Sequence, residues 1–156
     1  VKVFTNGFAV CKFTNFKTDG SAGHDSNFPD TDFFLMRAAE AYLIYAEADA
    51  RMNGGTTTTD GAQYINDVRR RAHATTHTAY SLRQICDEWS REFYFEGLRR
   101  TTLVRFGYFG GDVNYNWSWK GGVKSGRNFD THLNLFPIPS SDLTANKKLV
   151  QNQGYN

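Results

Sequence analysis

Residues 32–52 read DFFLMRAAEAYLIYAEADARM, and this stretch decides the fold. Phe34, Leu35, Ala38, Ala41, Tyr42, Tyr45 and Ala48 recur at spacings of three and four, the period of an amphipathic helix. Roughly twenty residues of helix span about 30 Å. Thr31 or Asp32 can cap its start, and Asn53-Gly54-Gly55 can end it. The alanines on the stripe permit close approach by a partner helix.

A polar bridge, Thr56 to Thr59, leads to Asp60, which stands three residues before Gln63 in the pattern of a capping box. A second helix is expected from there to about Ala74, with Ala62, Ile65 and Val68 on its apolar face. Two helices joined by a short Gly-rich link pack antiparallel, so the pair reads as a helical-repeat (TPR-like) hairpin. Ser81 and Gln84 start a third long helix by the same device, with Leu82, Ile85, Trp89, Phe93 and Phe95 as apolar positions. Gly97 interrupts it, and Leu98 to Phe106 continues as a further helical piece. By their helical spacing, Tyr42, Tyr45, Phe93, Tyr94 and Phe95 are assigned to the core.

The flanks are not helical in pattern. Residues 1–16 carry Thr5-Asn6-Gly7 between β-branched and aromatic runs, which predicts a short β-hairpin. Residues 17–31 form a loop, and residues 107–131 form a long one rich in Gly, Asn and aromatics. The tail from His132 is extended and irregular through Pro137 and Pro139, with Ser140 or Ser141 capping one turn. Leu133, Leu135 and Ile138 form an apolar edge expected to lie on the body. The fold class is therefore mainly α.

Charge and composition narrow the function. The net charge is +2, and the arginines around Arg69–Arg71 and Arg99–Arg100 sit in amphipathic stretches, so no nucleic-acid face is expected. Cys11 and Cys86 make no metal-type pair; they read as two buried thiols or, in an oxidising compartment, a disulfide. His24, His73, His77 and His132 lack a zinc pattern, and no metal or cofactor is expected. His132 reads as a hydrogen-bonding residue within the tail's packing. Asp19, Asp25, Asp30 and Asp32 make an oxygen-rich loop that could hold calcium, but without EF-hand spacing. Glu40 and Glu47 share one helix face, and Glu47 can pair with Arg51, or with Arg69 or Arg71 on the next helix.

Glu88, Glu92 and Glu96 follow at i+4 spacing, and glycosidases place two carboxylates roughly 5–10 Å apart. Arginines at positions 91, 99 and 100 make ion pairing the plainer reading, so no catalytic residue is assigned. The preferred functional patch is Asn114, Tyr115, Trp117 and Trp119. Rings interleaved with amides and hydroxyls suit sugar recognition: faces stack on pyranose C–H groups while polar groups bond the hydroxyls. The plainer alternative is that the two indoles pin the loop to neighbouring structure.

Three ordered segments resemble the carboxy-terminal region of the SusD/RagB family. The first is RAAEAYLIYAEA from Arg37, followed by NDVRRRA from Asn66. The second is REFYFEGLR from Arg91 with LVRFG from Leu103. The third is FPIP from Phe136, closing with QNQGY from Gln151. A strand at Lys12 and Phe13 fits what precedes these in the family. Thr102 and Gln153 stand where the family has Asp and Pro, and the segment from Glu88 to Arg91 lacks a run of arginines.

The resemblance implies that residues 1–156 are the carboxy-terminal part of a surface lipoprotein of Bacteroidetes-type bacteria. Such proteins bind oligosaccharides without catalysis and pass them to a TonB-dependent outer-membrane transporter. The lipid anchor and helical repeats would lie in an amino-terminal part absent from this fragment. A helical-repeat module binding a peptide or the transporter itself is the alternative.

Overall fold

A computed structural model of the chain describes residues 3, 10, 12–111 and 115–155. The expected hairpin about Thr5, Asn6 and Gly7 falls almost wholly outside the described residues, as do Cys11 and Asn114. Residues 1–37 and 38–156 make two units.

In the first unit, Asn15 organises the loop. Its Nδ2 donates to the Asp25 carbonyl at 2.6 Å, and its Oδ1 accepts from the Asp30 amide at 3.0 Å. Three of the four carboxylates considered for calcium accept from backbone N–H groups. Asp19 bonds Ser21, Asp25 bonds Asn27 and Phe28, and Asp30 bonds His24. The Ser21 bonds hold the Asp19 carboxyl below its ordinary pKa. Lys12 and Phe13 lie in bends, so the strand expected there does not form.

The second unit is helical, and the protein is mainly α as its sequence predicts. α1 is Ala38–Met52, α2 Thr59–Arg71, α3 Leu82–Glu92, α4 Arg99–Arg105 and α5 Ser140–Ala145, with 3-10 turns at Lys120–Gly122 and Thr131–Asn134. α1 packs chiefly on α2 and then on α3, as a helix hairpin with a third helix across it. Among the described residues there are isolated β-bridges and no strands.

α1 starts six residues later than its periodicity predicts. The Thr31 hydroxyl, a predicted cap, donates instead to the Thr14 carbonyl at 2.7 Å, and the Phe33 ring stacks on Phe13. Both contacts hold this segment out of helical geometry. The buried stripe also differs from the expected one. Ala39, Leu43, Ala46, Glu47 and Ala50 face inward, whereas Phe34, Leu35, Tyr42 and Tyr45 are exposed. α1 is apolar around most of its circumference, so two stripes share the same period. The small-residue stripe allows the closer approach to Ala62, Ile65 and Val68 of α2. Tyr42 and Tyr45 meet Tyr64 at the flank, with ring centroids 5.3 and 4.4 Å apart.

α2 is capped by Thr58, not Asp60: the Thr58 hydroxyl accepts from the Gly61 amide at 3.3 Å. Asp49 of α1 holds this cap, its carboxylate accepting from Thr58 N at 2.7 Å and from Thr58 Oγ1 at 2.9 Å. A Cβ at Gly61 would lie 2.2 Å from Asp49 Oδ2, so the close approach depends on glycine. α3 starts with the expected Ser81–Gln84 capping box. It ends at Glu92, shorter than predicted, because Phe95 (φ 61°) and Gly97 (φ 79°) turn the chain left-handed. Phe93 is buried, but Tyr94 and Phe95 are exposed, against their assignment to the core.

Buried carboxylates tie the helices together. Glu47 takes Arg51 at 2.9 Å and Arg105 of α4 at 3.0 Å, not the Arg69 or Arg71 considered from sequence. Glu88 Oε2 takes Arg69 and Arg91, both at 2.6 Å, and Glu92 takes Arg71 at 2.6 Å.

The tail's two motif segments are latched to each other. Prolines flank Ile138, and the Gln151 side-chain amide bonds both its N–H (2.8 Å) and its C=O (2.9 Å). Asn152 Nδ2 donates to the Phe136 carbonyl, and the Tyr155 hydroxyl donates to the Leu135 carbonyl. His132 bonds Asp130 and meets the Tyr155 ring edge-on, a packing role as expected. Leu135 is exposed, so the predicted apolar edge reduces to the half-buried Leu133 and Ile138.

Gly61→Ala provides a test of opposite sign to helix propensity. Propensity alone favours alanine by about 1 kcal/mol. The clash with Asp49 is expected to reverse this, with a net loss of about 1–3 kcal/mol by denaturant unfolding. In an Asp49→Ala background, where the carboxylate is gone and only Cβ of residue 49 remains at 3.0 Å, Gly61→Ala should cost less than in wild type.

Candidate functional site

The aromatic loop is built from below by Tyr115. Its ring stacks on Tyr108 with centroids 4.7 Å apart and planes 7° from parallel, while the Arg83 guanidinium lies 4.0 Å over it. Its hydroxyl donates to Asp87 Oδ1 and accepts from Arg99 Nη2, both at 2.7 Å. Burial and the Asp87 bond raise its pKa, so it stays a phenol at neutral pH. At 7% exposure, Tyr115 has no free face and cannot be the stacking platform the sequence made it. It is the loop's pillar.

Lys120 is the second pillar. It is fully buried, its Nζ donates to the Tyr115 carbonyl at 3.1 Å, and it sits 4.9 and 5.0 Å from the centroids of Trp117 and Phe129. Loss of hydration lowers its pKa. The backbone then closes on itself: Arg127 N donates to Lys120 O, and Gly111 N to Phe129 O. A Cβ at Gly126 would lie 2.5 Å from the Trp117 carbonyl, so this crossing also requires glycine.

Above these pillars stand the two indoles. Trp117 is 40% exposed and meets Tyr115 edge-on at 6.2 Å. Trp119 is 65% exposed and takes φ 69°, a left-handed conformation that costs a non-glycine residue of order 1 kcal/mol. The fold thus spends conformational energy to hold a large apolar ring in water, next to the exposed Asn116 and Ser118. Such a surface can stack on the apolar face of a sugar or on a protein side chain.

The other sequence candidates go elsewhere. Glu88 and Glu92 are engaged by arginines, and Glu96 is buried in the turn after α3. His77 packs edge-on against Tyr80, whereas His73 turns left-handed just after α2. Among the described residues no group of three His, Cys, Asp or Glu could hold a metal ion. Cys86 is a buried free thiol beside Arg99, with its pKa raised by burial. Sequence reading missed Arg83, Asp87, Arg99 and Lys120 as the loop's supports. The only available signal was the density of arginine before an aromatic loop.

Among the described residues the geometry is that of a helix hairpin carrying a ring-bearing loop. The SusD family model matches residues 2–155, and the chain belongs to the SusD family. It is 44% identical over 153 residues to the starch-binding protein SusD of Bacteroides thetaiotaomicron, across 97% of this chain and 27% of that protein. A solved SusD superfamily protein from Bacteroides vulgatus superposes with TM-score 0.62 at 28% identity, covering 86% of this chain and 31% of its own. Surface glycan-binding protein A from Bacteroides uniformis gives TM-score 0.62 at 26% identity, covering 88% and 30%. The chain therefore spans about a quarter to a third of the length of these relatives.

Lys120→Met isolates the buried ammonium. A lysine whose folded pKa is lowered binds fewer protons folded than unfolded, so stability rises with pH up to about 10.4, the unfolded value. Wild type should gain stability relative to Lys120→Met as pH climbs towards that value. A difference in melting temperature that stays flat between pH 7 and 10.5 would contradict burial of the charge.

Proposed function

We propose that this chain is the carboxy-terminal region of a surface glycan-binding protein that captures oligosaccharides without transforming them. The observation that carries the reading is the exposed Trp117–Trp119 pair on a loop pinned by Tyr115 and Lys120. Two ring faces held rigidly lose little entropy when a sugar stacks on them. Asn114 is retained as a polar contact, and Tyr115 contributes by holding the loop. The names of two relatives, starch-binding and surface glycan-binding, support the ligand class. Delivery to a TonB-dependent outer-membrane transporter, and a lipid anchor at the cell surface on a preceding part of the protein, belong to the same proposal.

A second reading is favoured by one observation. Tyr42, Ile44 and Tyr45 leave an apolar face of α1 exposed, which suits a helical-repeat module docking a peptide or the transporter.

Calorimetry with maltoheptaose and a panel of plant and host oligosaccharides separates the two. On the glycan reading at least one sugar binds, and Trp119→Ala weakens it roughly tenfold, with Trp117→Ala close behind. Sugar affinity equal in wild type and both variants would remove the loop as platform. Loss of transporter binding in Tyr45→Lys, with no sugar binding at all, would favour the second reading.

A further inference from the structure

Trp119 is not the only exposed aromatic held in a left-handed conformation. Phe95, just past the end of α3, has φ 61° and is 57% exposed, and Tyr94 beside it is 54% exposed. Their rings form an edge-to-face pair with centroids 4.7 Å apart and planes inclined at 67°, which gives the groove a floor and a steep wall. They stand at a groove of about 350 Å³ lined by Trp89, Ser90, Phe93, Tyr94, Phe95 and Arg99. That volume is at the small end of small-molecule sites. A glycine at position 95 would adopt this backbone freely, so phenylalanine there costs stability in exchange for a presented ring.

We propose that this groove is a second carbohydrate subsite, taking one pyranose ring against Phe95 and Tyr94. The proposal rests on the glycan-binding reading above and extends it to a second point of contact. The chemistry of the lining mixes ring faces with hydroxyl donors on Ser90 and Tyr94 and a guanidinium on Arg99, the combination a sugar's apolar face and hydroxyl edge require. Trp89 belongs to the same lining, with its ring buried beneath the exposed pair. The indole Nε1–H of Trp89 is buried and has no hydrogen-bond acceptor among the described residues. The two subsites are joined through one side chain: Arg99 lines the groove and donates to the Tyr115 hydroxyl at 2.7 Å under the Trp117–Trp119 loop.

The chain has three tryptophans, one in the groove and two on the loop, so indole N–H resonances report the subsites separately. The test titrates the ¹⁵N-labelled chain with maltoheptaose and with xylohexaose, with each indole peak assigned by Trp→Phe variants. The expected result is a saturable shift of the Trp89 peak with at least one sugar. Phe95→Gly should then bind that sugar about five- to tenfold more weakly. Its melting temperature should be unchanged or higher, since glycine relieves the backbone; Tyr94→Ser is the second variant should Phe95→Gly fold poorly. Shifts at Trp117 and Trp119 alone, with Phe95→Gly binding as wild type, overturn the groove and leave the loop reading standing. A shift at Trp89 alone keeps the groove and removes the loop. Three silent indoles overturn both and favour a protein surface as the occupant.

Discussion

Glu47 is buried on the inner face of the helix hairpin, and its carboxylate is met by Arg105, 58 residues further along the chain, at 3.0 Å on each of two nitrogens. A carboxylate taken out of water needs such partners, because leaving it unpaired costs several kcal/mol. The consequence reaches beyond the pair. Arg105 belongs to α4, and the same seven-residue helix begins with Arg99, which bonds the Tyr115 hydroxyl, and Arg100, which donates to the Leu133 carbonyl at 2.6 Å. Arg100 also lies 4.5 and 4.0 Å from the Phe109 and Phe136 ring centroids, one at the start of the loop and one in the tail. A helix too short to be stable alone thus becomes the joint between hairpin, aromatic loop and tail. Guanidinium suits this task because one planar group can donate in several directions while its face packs on rings.

This joint explains how irregular chain can be ordered. Residues 115–129 form no long helix or strand; their backbone groups are met by local bonds and, at the Tyr115 carbonyl, by the buried Lys120 ammonium. Side chains locked underneath leave Trp117 and Trp119 free to face outward. Aromatic rings in left-handed backbone at Trp119 and Phe95 are tolerated because the surroundings over-determine them, and both rings end in solvent. On the glycan-binding proposal this preorganisation matters, since rings fixed in advance lose little freedom when a ligand arrives.

The helices were legible because their signals are local. The Ser81–Gln84 box and the glycines after α1 are readable from spacing alone, and the family motifs fixed the order of the segments. The wrong stripe on α1 has a different origin. A helix apolar on most sides carries no local mark of which side a neighbour takes, and the aromatic stripe outweighed the alanines that allow close packing. Tyr115 was misread for a similar reason: its company of tryptophans and asparagines is that of a sugar platform, but Arg83, Asp87 and Arg99, distant in sequence, bury it. The Glu47–Arg105 pair and the Gln151 latch on Ile138 are long-range contacts with no periodic signature. Loops owe their shape to such contacts, so the site was legible in its ring content and not in its supports.

The account stands or falls on the clamp between the hairpin and α4. A double-mutant cycle with Glu47→Ala, Arg105→Ala and the combined variant, read by denaturant unfolding, measures it directly. The pair is expected to couple by about 1.5–3 kcal/mol, with each single variant also loosening the loop as seen by faster hydrogen exchange at residues 115–129. Coupling below about 0.5 kcal/mol, the scatter expected of independent sites, together with unchanged loop protection, would contradict the claim that α4 joins the parts.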